Sequence, residues 1–460
     1  MAKLGTSENP LLVAIVGSGP SGFYAAEALI KSEFEVDVDI IERLPSPYGL
    51  VRSGVAPDHP KLKTAINLYK KIADSPHFNL IANVAVGRDI SIEELRKTHH
   101  AVILAYGAET DRKLGVPGED LKGSHTATEF VGWYNGHPDY RELKFNLSQD
   151  VAVIIGQGNV AADVSRILSK TVDELKHTDI AQHALDVLAE SKLKEIHVIG
   201  RRGPAQAKFT PKELREFGEL SDCNPIILED DLQLNDESKK ELEEKTNRTN
   251  RKVYDQFCEF SKRELDSSKS KKCFFRFLMG PQEIIGNTQI EKLILEKNEL
   301  SGEPFKQSAK GTNEIFEINT GILFRSIGYH GVPISGVPFH ESWGTIPNEK
   351  GRVTENDGTI VNQLYTGGWI KRGPSGIIGT NRACSVETVA NLLNDIEKLD
   401  TGEKKYGTKE IYAKLNNRNV RHVNFSEWSQ IDDKEVELGE PKGKPREKYT
   451  YIEEMLSVIK

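Results

Sequence analysis

A short apolar segment followed by glycines stands near the start of the chain. Residues 11–16 are apolar, which predicts a buried β-strand, and Gly17-Ser-Gly-Pro-Ser-Gly22 follows them. Residues 23–31 carry alanine and leucine at positions that suit a packed helix, and residues 36–41 predict a second strand. This order is that of a β-α-β unit with a G-x-G-x-x-G turn between its first strand and its helix.

The same pattern recurs in the middle of the chain. Its parts are a strand over 151–155, the turn Gly156-Gln-Gly-Asn-Val-Ala161, a helix over 160–170 and a strand over 195–199. A mostly helical insertion at 171–193 makes the distance from the glycines to the end of the second strand longer than the usual ~20 residues. Two turns of this kind, each between a strand and a helix, predict two dinucleotide sites.

Other strands mark where the chain passes between domains. Two apolar strands, at 101–105 and 322–327, lead to glycines, but neither strand opens a G-x-G turn. Such strands suit the crossings of the chain into and out of an inserted domain. We therefore predict two Rossmann-like three-layer α/β domains, one over 1–108 and 326–460 and one inserted over 109–325. The charged segment 230–272 predicts a solvated helical excursion, and 386–399 predicts an amphipathic helix with Ser385 as its N-cap.

Composition narrows the class of protein. Of the 460 residues, 37% are hydrophobic and 28% are charged, as in soluble globular proteins. The net charge of −8 argues against a general nucleic-acid binder, and no apolar stretch reaches the ~18 residues of a membrane span. The first ten residues lack the basic and apolar regions of a signal peptide, so the cytoplasm is the expected location.

The glycines of the first turn have separate physical tasks. Gly17 allows the tight turn, Gly19 lets the backbone approach a pyrophosphate, and Gly22 lets the helix lie close to the sheet. The N-terminus of the helix then offers N–H groups and partial positive charge to the phosphates.

Residues at the ends of the second strands separate the two ligands. Glu42 is placed to bind ribose hydroxyls and would repel a 2′-phosphate, so the first site suits FAD or NAD. Arg201 and Arg202 follow the corresponding strand of the second unit, where paired guanidiniums match a phosphate and indicate NADP(H). Glu213 lies twelve residues beyond Arg201 as a partner for ribose or arginine.

The cysteines bear on where electrons go next. FAD and NADPH on one chain imply hydride transfer from nicotinamide to flavin. A dithiol reductase needs a redox pair of cysteines, and the four cysteines of this chain form no C-x-x-C. A flavin can instead release electrons singly, which suits a one-electron carrier such as a ferredoxin.

Several longer stretches carry a resemblance to a known family. The sequence is similar to the adrenodoxin reductase-like ferredoxin–NADP⁺ reductases, including their bacterial members, nearly from end to end. The matching stretches are Val16-Gly-Ser-Gly-Pro-Ser-Gly-Phe-Tyr24, Tyr48-Gly-Leu-Val-Arg-Ser-Gly-Val-Ala-Pro-Asp-His-Pro60, Phe130-Val-Gly-Trp-Tyr-Asn135, Gly156-Gln-Gly-Asn-Val-Ala161, Gly200-Arg-Arg-Gly-Pro204, Lys212-Glu-Leu-Arg-Glu216, Gly368-Trp-Ile-Lys-Arg-Gly-Pro-Ser-Gly-Ile-Ile378 and Gly443-Lys-Pro-Arg446. The absence of a targeting sequence, Arg52-Ser53 and Thr380-Asn381 favour a bacterial-type member over a mitochondrial one.

The resemblance implies a set of site residues. For FAD it implies contacts at Ser21, Glu42, Leu50, Val86, Trp369, Gly376, Ile377 and Ile378. For NADP it implies contacts at Gln157, Gly158, Asn159, Val160, Arg201, Arg202, Glu213 and Gly376. The family also keeps polar residues near the flavin that match His59, Asp163 and Glu216, which we expect to tune flavin protonation, to position the nicotinamide or to lead electrons onward. A purely structural role for His59, in the turn Pro57-Asp-His-Pro60, is an equal alternative.

The resemblance implies a reductase with an iron–sulfur partner. We expect electrons to pass from NADPH through FAD to a ferredoxin, with the NADP domain inserted into the FAD domain and the protein a monomer. Two alternatives stay open: a flavin monooxygenase, and an electron-delivery subunit of a larger complex. Because ferredoxins are usually acidic and this chain is acidic too, docking needs local basic groups. The groups expected from the sequence are Lys208, Lys212, Arg215, Arg248, Arg251, Lys252, Lys371 and Arg372.

Overall fold

The chain folds as two compact units in the computed structural model, which describes residues 2–376, 378–400 and 402–459. Unit 1 comprises Met1–Thr110 with Tyr329–Lys460, and unit 2 comprises Asp111–Gly328. The chain therefore leaves unit 1 after Thr110 and returns at Tyr329, where the sequence analysis expected crossings after residues 108 and 325.

The strands and helices alternate along both units. In chain order the strands are β1 (Leu11–Val16), β2 (Val36–Ile41), β3 (Phe78–Ile81), β4 (Ala101–Leu104), β5 (Thr110–Asp111), β6 (Ser124–Thr126), β7 (Val151–Ile155), β8 (Glu195–Ile199), β9 (Cys223–Ile226), β10 (Lys271–Arg276), β11 (Met279–Ile285), β12 (Lys292–Ser301), β13 (Ser308–Asn319), β14 (Ile322–Arg325), β15 (Tyr329–His330), β16 (Asn348–Glu349), β17 (Arg352–Thr354) and β18 (Ile360–Thr366).

The helices are, in the same order, α1 (Pro20–Ile30), α2 (Leu50–Ser53), α3 (Pro60–Lys63), α4 (Ile66–Ala73), α5 (Ile92–Thr98), α6 (Ala127–Tyr134), α7 (Asn159–Ser169), α8 (Val172–Leu175), α9 (Gln182–Ala189), α10 (Pro211–Glu216), α11 (Asp236–Glu243), α12 (Arg248–Ser261), α13 (Trp369–Arg372), α14 (Ile378–Asn394), α15 (Ile396–Leu399), α16 (Thr408–Asn417), α17 (Phe425–Gly439) and α18 (Ile452–Val458). Among the described residues, no helix has both the length and the apolar character needed to cross a membrane.

Unit 1 is built on a seven-stranded sheet in the order β16-β17-β18-β4-β1-β2-β3. The five strands from β18 to β3 are parallel, and β16 and β17 are antiparallel additions at one edge. Side chains of β1 alternate between two cores: Val13 and Ile15 pack with α1, α14 and α17, whereas Ala14 and Val16 pack with α5 and α16. This alternation places helices on both faces of the sheet and confirms the predicted three-layer α/β arrangement.

Unit 2 has a parallel six-stranded sheet in the order β6-β14-β7-β8-β10-β9. On one face, Ile154 and Val198 join a core with α6, α7, α10 and α12. On the other face, Val153 and Leu323 pack against Leu293 of a three-stranded antiparallel sheet, β11-β12-β13. Unit 2 therefore has helices as one outer layer and strands as the other. The sequence analysis did not predict this outer sheet.

The amphipathic helix predicted over 386–399 has different bounds. Helix α14 begins at Ile378, and Ser385 lies inside it, where its hydroxyl donates to the carbonyl of Ser21 (2.9 Å). Val386 is 48% exposed, whereas Val389 packs in the core. The prediction of an N-cap at Ser385 is wrong because the helix starts two turns earlier, directly after the glycine-rich loop.

The charged excursion is helical, as predicted, but it is not wholly solvated. Helix α12 buries Val253, Phe257 and Phe260 in the helix-side core of unit 2. Their spacing places them on one face of the helix. The high charge of the segment hid this apolar face.

Candidate dinucleotide sites

The first glycine turn joins β1 to α1 and leaves no room for side chains at two positions. Gly17 has φ +103°, and a Cβ there would lie 2.6 Å from the Cα of Tyr106, just beyond β4. A Cβ at Gly22 would lie 2.0 Å from the carbonyl oxygen of Gly17. The turn therefore closes against the neighbouring strand, and both positions require glycine.

The second glycine of this turn faces open space. No atom of the described residues lies within 4 Å of a Cβ built at Gly19, in contrast to Gly17 and Gly22. Gly19 is the N-cap of α1, no side chain caps the helix, and Pro20 has no N–H to offer. The positive end of the helix thus opens onto a space beside bare backbone, which fits a dinucleotide pyrophosphate.

The carboxylate of Glu42 stands at the end of β2, beside this turn. It accepts hydrogen bonds from the backbone N–H of Ser18 (3.1 Å), the hydroxyl of Ser18 (2.5 Å) and the N–H of Leu44 (3.1 Å). These bonds fix the carboxylate in place, and because each oxygen has two lone pairs, one oxygen still has an acceptor position for a ribose hydroxyl. A phosphate at this position would be repelled.

Several residues expected to contact FAD lie around the first turn. Helix α2 begins at Leu50, next to Gly49, whose Cβ would lie 3.0 Å from the Cα of Gly19. A Cβ at Gly368 would lie 2.1 Å from the hydroxyl of Ser21, which brings the start of α13 against the first turn of α1. Trp369 follows, and its indole N–H is buried without a hydrogen-bond partner among the described residues.

Val86 and the loop before α14 lie on other segments of unit 1. Val86 is half-buried in the segment after β3, where the N–H of Val84 donates to the carbonyl of Glu42 (2.9 Å). Gly376 has φ +85°, and Arg372 closes its loop by donating to Asn381 (2.7 Å). Ile378 is the first residue of α14, and Ile377 lies outside the described residues.

The second glycine turn, between β7 and α7, repeats the local geometry of the first. Gly156 has φ +140°, and a Cβ there would lie 2.1 Å from the carbonyl oxygen of Ser326. Within the described part of the chain, no atom lies within 4 Å of a Cβ at Gly158, which is the uncapped N-cap of α7. Ala161 takes the third position, fully buried, and Val160 packs at the edge of the same core.

Two side chains predicted to contact NADP hold the segment that leads to α10. The side-chain amide of Gln157 donates to the backbone carbonyl of Arg276 (2.9 Å), and the backbone carbonyl of Gln157 accepts from the N–H of Lys208 (2.7 Å). The side-chain oxygen of Asn159 accepts from the N–H of Thr210 (2.8 Å), the residue that caps α10. Glu213 lies in the first turn of that helix, so Gln157 and Asn159 join the glycine turn to the element that carries Glu213.

Arg201 and Arg202 directly follow β8 and Gly200. Arg201 is exposed and Arg202 half-buried, and neither guanidinium has an ion-pair or hydrogen-bond partner within residues 2–376, 378–400 and 402–459. Their backbone is held instead, because the carbonyls accept from Asn298 (2.9 Å) and Leu278 (3.0 Å). Two uncompensated cations on a fixed backbone suit a phosphate group.

The three polar residues expected near the flavin fall into different units. His59 lies in unit 1, buried, directly before α3. Asp163 and Glu216 lie in unit 2 on either side of Arg166, whose side chain is 0% exposed: it contacts Asp163 at 2.7 Å and Glu216 at 3.5 Å. Sequence reasoning missed Arg166, although an arginine three residues after Asp163 on a helix that is otherwise mostly apolar was a usable signal.

The chain is similar to known proteins over nearly its whole length. A family model described as pyridine nucleotide-disulphide oxidoreductase matches residues 11–217. The mitochondrial NADPH:adrenodoxin oxidoreductase of Arabidopsis thaliana is 44% identical over 98% of this chain and 96% of its own. The NADPH-ferredoxin reductase FprA of Mycobacterium leprae is 42% identical over 97% of this chain and 98% of its own. The solved structure of Mycobacterium tuberculosis FprA in complex with NADPH is 40% identical, covers 98% of this chain and 99% of its own, and superposes with a TM-score of 0.91.

Proposed function

The chain belongs to the family of NADPH:adrenodoxin oxidoreductases and NADPH-ferredoxin reductases, and we propose that it transfers electrons from NADPH through bound FAD to a ferredoxin-type iron–sulfur protein. The observation that carries the proposal is the contrast at the two strand ends. A carboxylate, Glu42, stands beside one glycine turn, and two arginines without partners in the described structure, Arg201 and Arg202, stand beside the other. One chain thus offers one site that suits ribose and another that suits a 2′-phosphate.

In this proposal, unit 1 holds FAD. Gly17 and Gly22 shape the turn, Gly19 and the start of α1 receive the pyrophosphate, and Glu42 receives a ribose hydroxyl. The remaining residues proposed to contact FAD are Ser21, Leu50, Val86, Trp369, Gly376, Ile377 and Ile378. The indole N–H of Trp369 supports this assignment: it is buried and has no partner among the described residues, which suits a bound group that accepts from it.

Unit 2 would hold NADPH. Gly158 and the start of α7 receive the pyrophosphate, and Arg201 and Arg202 receive the 2′-phosphate. The other residues proposed to contact NADPH are Gln157, Asn159, Val160, Glu213 and Gly376 of unit 1. The overall change balances when NADPH gives up a hydride, which is two electrons and a proton. Two ferredoxins take one electron each, and the remaining product is a proton.

Bound FAD supplies the conversion between a hydride donor and a one-electron acceptor. The residues of this chain would bind and orient the two dinucleotides and set the charge around them. We propose that His59, Asp163 and Glu216 tune or position the reacting groups, and that Arg166 keeps Asp163 and Glu216 in fixed positions.

Basic side chains on α10 and α12 would receive the acidic partner. Lys212 and Arg215 on α10 are exposed, and so are Arg248, Arg251 and Lys252 on α12, which packs against α10. Lys371, expected from the sequence to take part, is 8% exposed and ion-paired with Glu387 (2.6 Å), which removes it from this set. The guanidinium of Arg372 donates to the side chains of Ser375 and Asn381, which removes Arg372 from this set as well.

Salt and charge reversal test this docking. Raising the ionic strength, with a Debye length of ~8 Å at 0.15 M, should raise the KM for ferredoxin but leave reduction of a small artificial acceptor unchanged. Reversing Arg248 and Arg251 to glutamate should mimic high salt. Reversing the exposed Lys306 and Lys310, beside and on β13, serves as the matched control. A KM for ferredoxin that is flat with salt and equal in both variants would contradict docking on α12.

Anaerobic reduction of ferredoxin by NADPH tests the function itself. The purified protein should show a flavin spectrum and reduce a ferredoxin with NADPH far faster than with NADH. Oxygen uptake coupled to a hydroxylated product would instead indicate a monooxygenase. Activity confined to a larger assembly on gel filtration would indicate a delivery subunit.

We further propose a monomer in the cytoplasm, to be tested by gel filtration and cell fractionation. The four free cysteines are in keeping with a reducing compartment.

A further inference from the structure

A short loop of unit 1, residues 48–53, lies directly against the first glycine turn. The N–H of Tyr48 donates to the carbonyl of Ser18 (3.1 Å), and a Cβ at Gly49 would lie 3.0 Å from the Cα of Gly19. Tyr48 has φ +84°, a conformation that side-chain-bearing residues rarely adopt and that persists only where the surroundings impose it. The position of this loop therefore determines the shape of the space at Gly19.

The C-terminal segment, residues 425–449, imposes that conformation from the other end of the sequence. Arg52 of the loop forms a bidentate ion pair with Glu435 of α17, with N–O distances of 2.8 and 2.5 Å. Both side chains are buried, Glu435 completely. The guanidinium also lies over the ring of Trp428 (5.0 Å), whose indole N–H approaches the hydroxyl of Tyr48 (3.4 Å).

Residues after α17 complete the contact. The ammonium group of Lys448 donates to the carbonyl of Arg52 (3.2 Å), and the N–H of Tyr449 donates to Glu435 (3.0 Å). Glu435 thus binds the loop and the chain that returns behind it with the same carboxylate. Loop 48–53 is therefore held both by the side chain of Arg52 and by the backbone carbonyl of Arg52.

A second ion cluster lies beside the first on the same segment. Asp432, one turn before Glu435, pairs with Lys70 (2.8 Å) and with Arg446. Burial acts to raise the pKa of Asp432, but Arg446 and Lys70 outweigh it and hold that pKa below its usual value. Arg446 also approaches Glu435 (3.5 Å), so the two ion clusters share this cation.

Stability alone does not account for this arrangement. Buried ion pairs lose hydration, and apolar side chains of equal volume stabilise a core as well or better. What a bidentate arginine–carboxylate pair adds is one fixed geometry. Here that geometry fixes the loop which borders the open space at Gly19.

We propose that Arg52 and Glu435 are positioning residues for the flavin dinucleotide, and that the C-terminal segment 425–449 is a clamp that keeps FAD on unit 1. The inference rests on the proposed function only in assigning FAD to the first turn. It predicts reciprocal coupling, because a clamp that favours bound FAD must itself be favoured by FAD.

Release of FAD from the purified holoprotein tests the clamp. The variant Glu435→Gln keeps the size of the side chain and removes its charge. We expect its rate of FAD release, followed by the rise in flavin fluorescence on dilution, to increase at least tenfold. Arg52→Gln should behave alike, Arg52→Lys should restore part of the retention, and the double variant should release FAD no faster than either single variant.

Asp395→Asn is the matched control. Asp395 is a buried carboxylate of unit 1 that also pairs with an arginine, Arg352 (2.5 Å), and within the described residues it forms no hydrogen bond or ion pair with loop 48–53. This variant should release FAD like the unaltered protein. Equal release by Asp395→Asn and Glu435→Gln would show general loosening and overturn the clamp. So would unaltered release in a folded Glu435→Gln protein.

Hydrogen exchange of the unaltered protein tests the coupling without any variant. Adding FAD to the flavin-free protein should slow amide exchange in residues 425–449. Exchange in this segment that is the same with and without FAD would overturn the proposal. Because neither experiment uses NADPH or ferredoxin, their failure is distinct from failure of the electron transfer. A protein that never binds FAD would overturn both.

Discussion

The two glycine turns have the same local geometry but different surroundings. In each, the first glycine is crowded by the neighbouring strand end and the second faces open space. Around the first turn, the carboxylate of Glu42 is already held by Ser18 and Leu44, and loop 48–53 lies beside the open space at Gly19. Around the second, residues 156–160 are half-buried, and the charged groups beside them, Arg201 and Arg202, have no partners in the described structure.

This difference indicates what each site is built to do. Groups fixed in advance lose little freedom when a ligand binds, which favours tight binding and slow release. Arginines that have no partner in the described structure would gain a phosphate partner only on binding, which suits a ligand that must leave after each turnover. On the proposed assignment, the same turn would serve a retained cofactor in unit 1 and an exchanging substrate in unit 2, and the surroundings would decide between them.

The largest expected effect comes from exchanging the third residue of each turn. Gly22→Ala places a methyl group 2.0 Å from the carbonyl oxygen of Gly17, so the backbone has to move. We expect the protein to be purified nearly free of FAD and to melt at a lower temperature. The measurements are the ratio of flavin to protein absorbance and a thermal melt.

The matched change in unit 2 should be mild. Ala161→Gly only removes a methyl group from a helix, at a cost of about 1 kcal/mol. This variant should keep its FAD and bind NADPH as before. FAD content that is full in Gly22→Ala would show that the first turn is not the flavin site.

The next effect concerns the arginines of the second turn. Replacing Arg201 and Arg202 with glutamine removes two charge-assisted contacts of about 1.5–3 kcal/mol each. The KM for NADPH should therefore rise by about a hundredfold or more, with little change for NADH and none in FAD content. Steady-state kinetics with both nucleotides measure this. An unchanged preference for NADPH would contradict the assignment.

The sequence was most informative where structure depends on neighbouring residues. The strands at 11–16, 36–41, 151–155 and 195–199 and the two glycine turns lie where they were predicted. A hydrophobic run and the need for glycine at Gly17 and Gly156 each depend on only a few neighbouring residues. Both can therefore be recognised from the sequence alone. The predicted α/β fold class is confirmed for the same reason.

The sequence was least informative where distant segments meet. Arg52 and Glu435 pair across 383 positions, and neither residue is unusual in its local sequence. The sheet β11-β12-β13 was missed because only some of its residues face the core, as in β12, where Leu293 and Leu295 alternate with less buried side chains. The sequence analysis placed the start of helix α14 too late, because the glycines that precede the helix are typical of a loop.

A smaller effect should follow from neutralising the carboxylate of the first turn. Glu42→Gln keeps one oxygen that can still accept from Ser18, but its NH2 group replaces the oxygen that accepts from the N–H of Leu44, and the charge is lost. We expect FAD affinity to fall about tenfold, the equivalent of roughly 1.4 kcal/mol. Titration of the flavin-free protein with FAD measures it. A similar loss of affinity for NADPH would break the comparison, because Glu42 should matter at one turn only.

The smallest effect at neutral pH concerns His100, directly before β4 in unit 1. Its Nδ1 accepts the N–H of Leu12 (3.0 Å), and burial lowers its pKa from 6.5 to about 4. The unfolded chain therefore binds a proton between pH 6.5 and 4 that the folded chain excludes, so stability falls as the pH falls through that window. The loss between pH 7 and 5 should be about 2 kcal/mol. His100→Asn keeps an acceptor without the titration, so its urea midpoint, followed by flavin release, should change less between these pH values. A variant with the same pH dependence as the unaltered protein would place the acid sensitivity of unit 1 elsewhere.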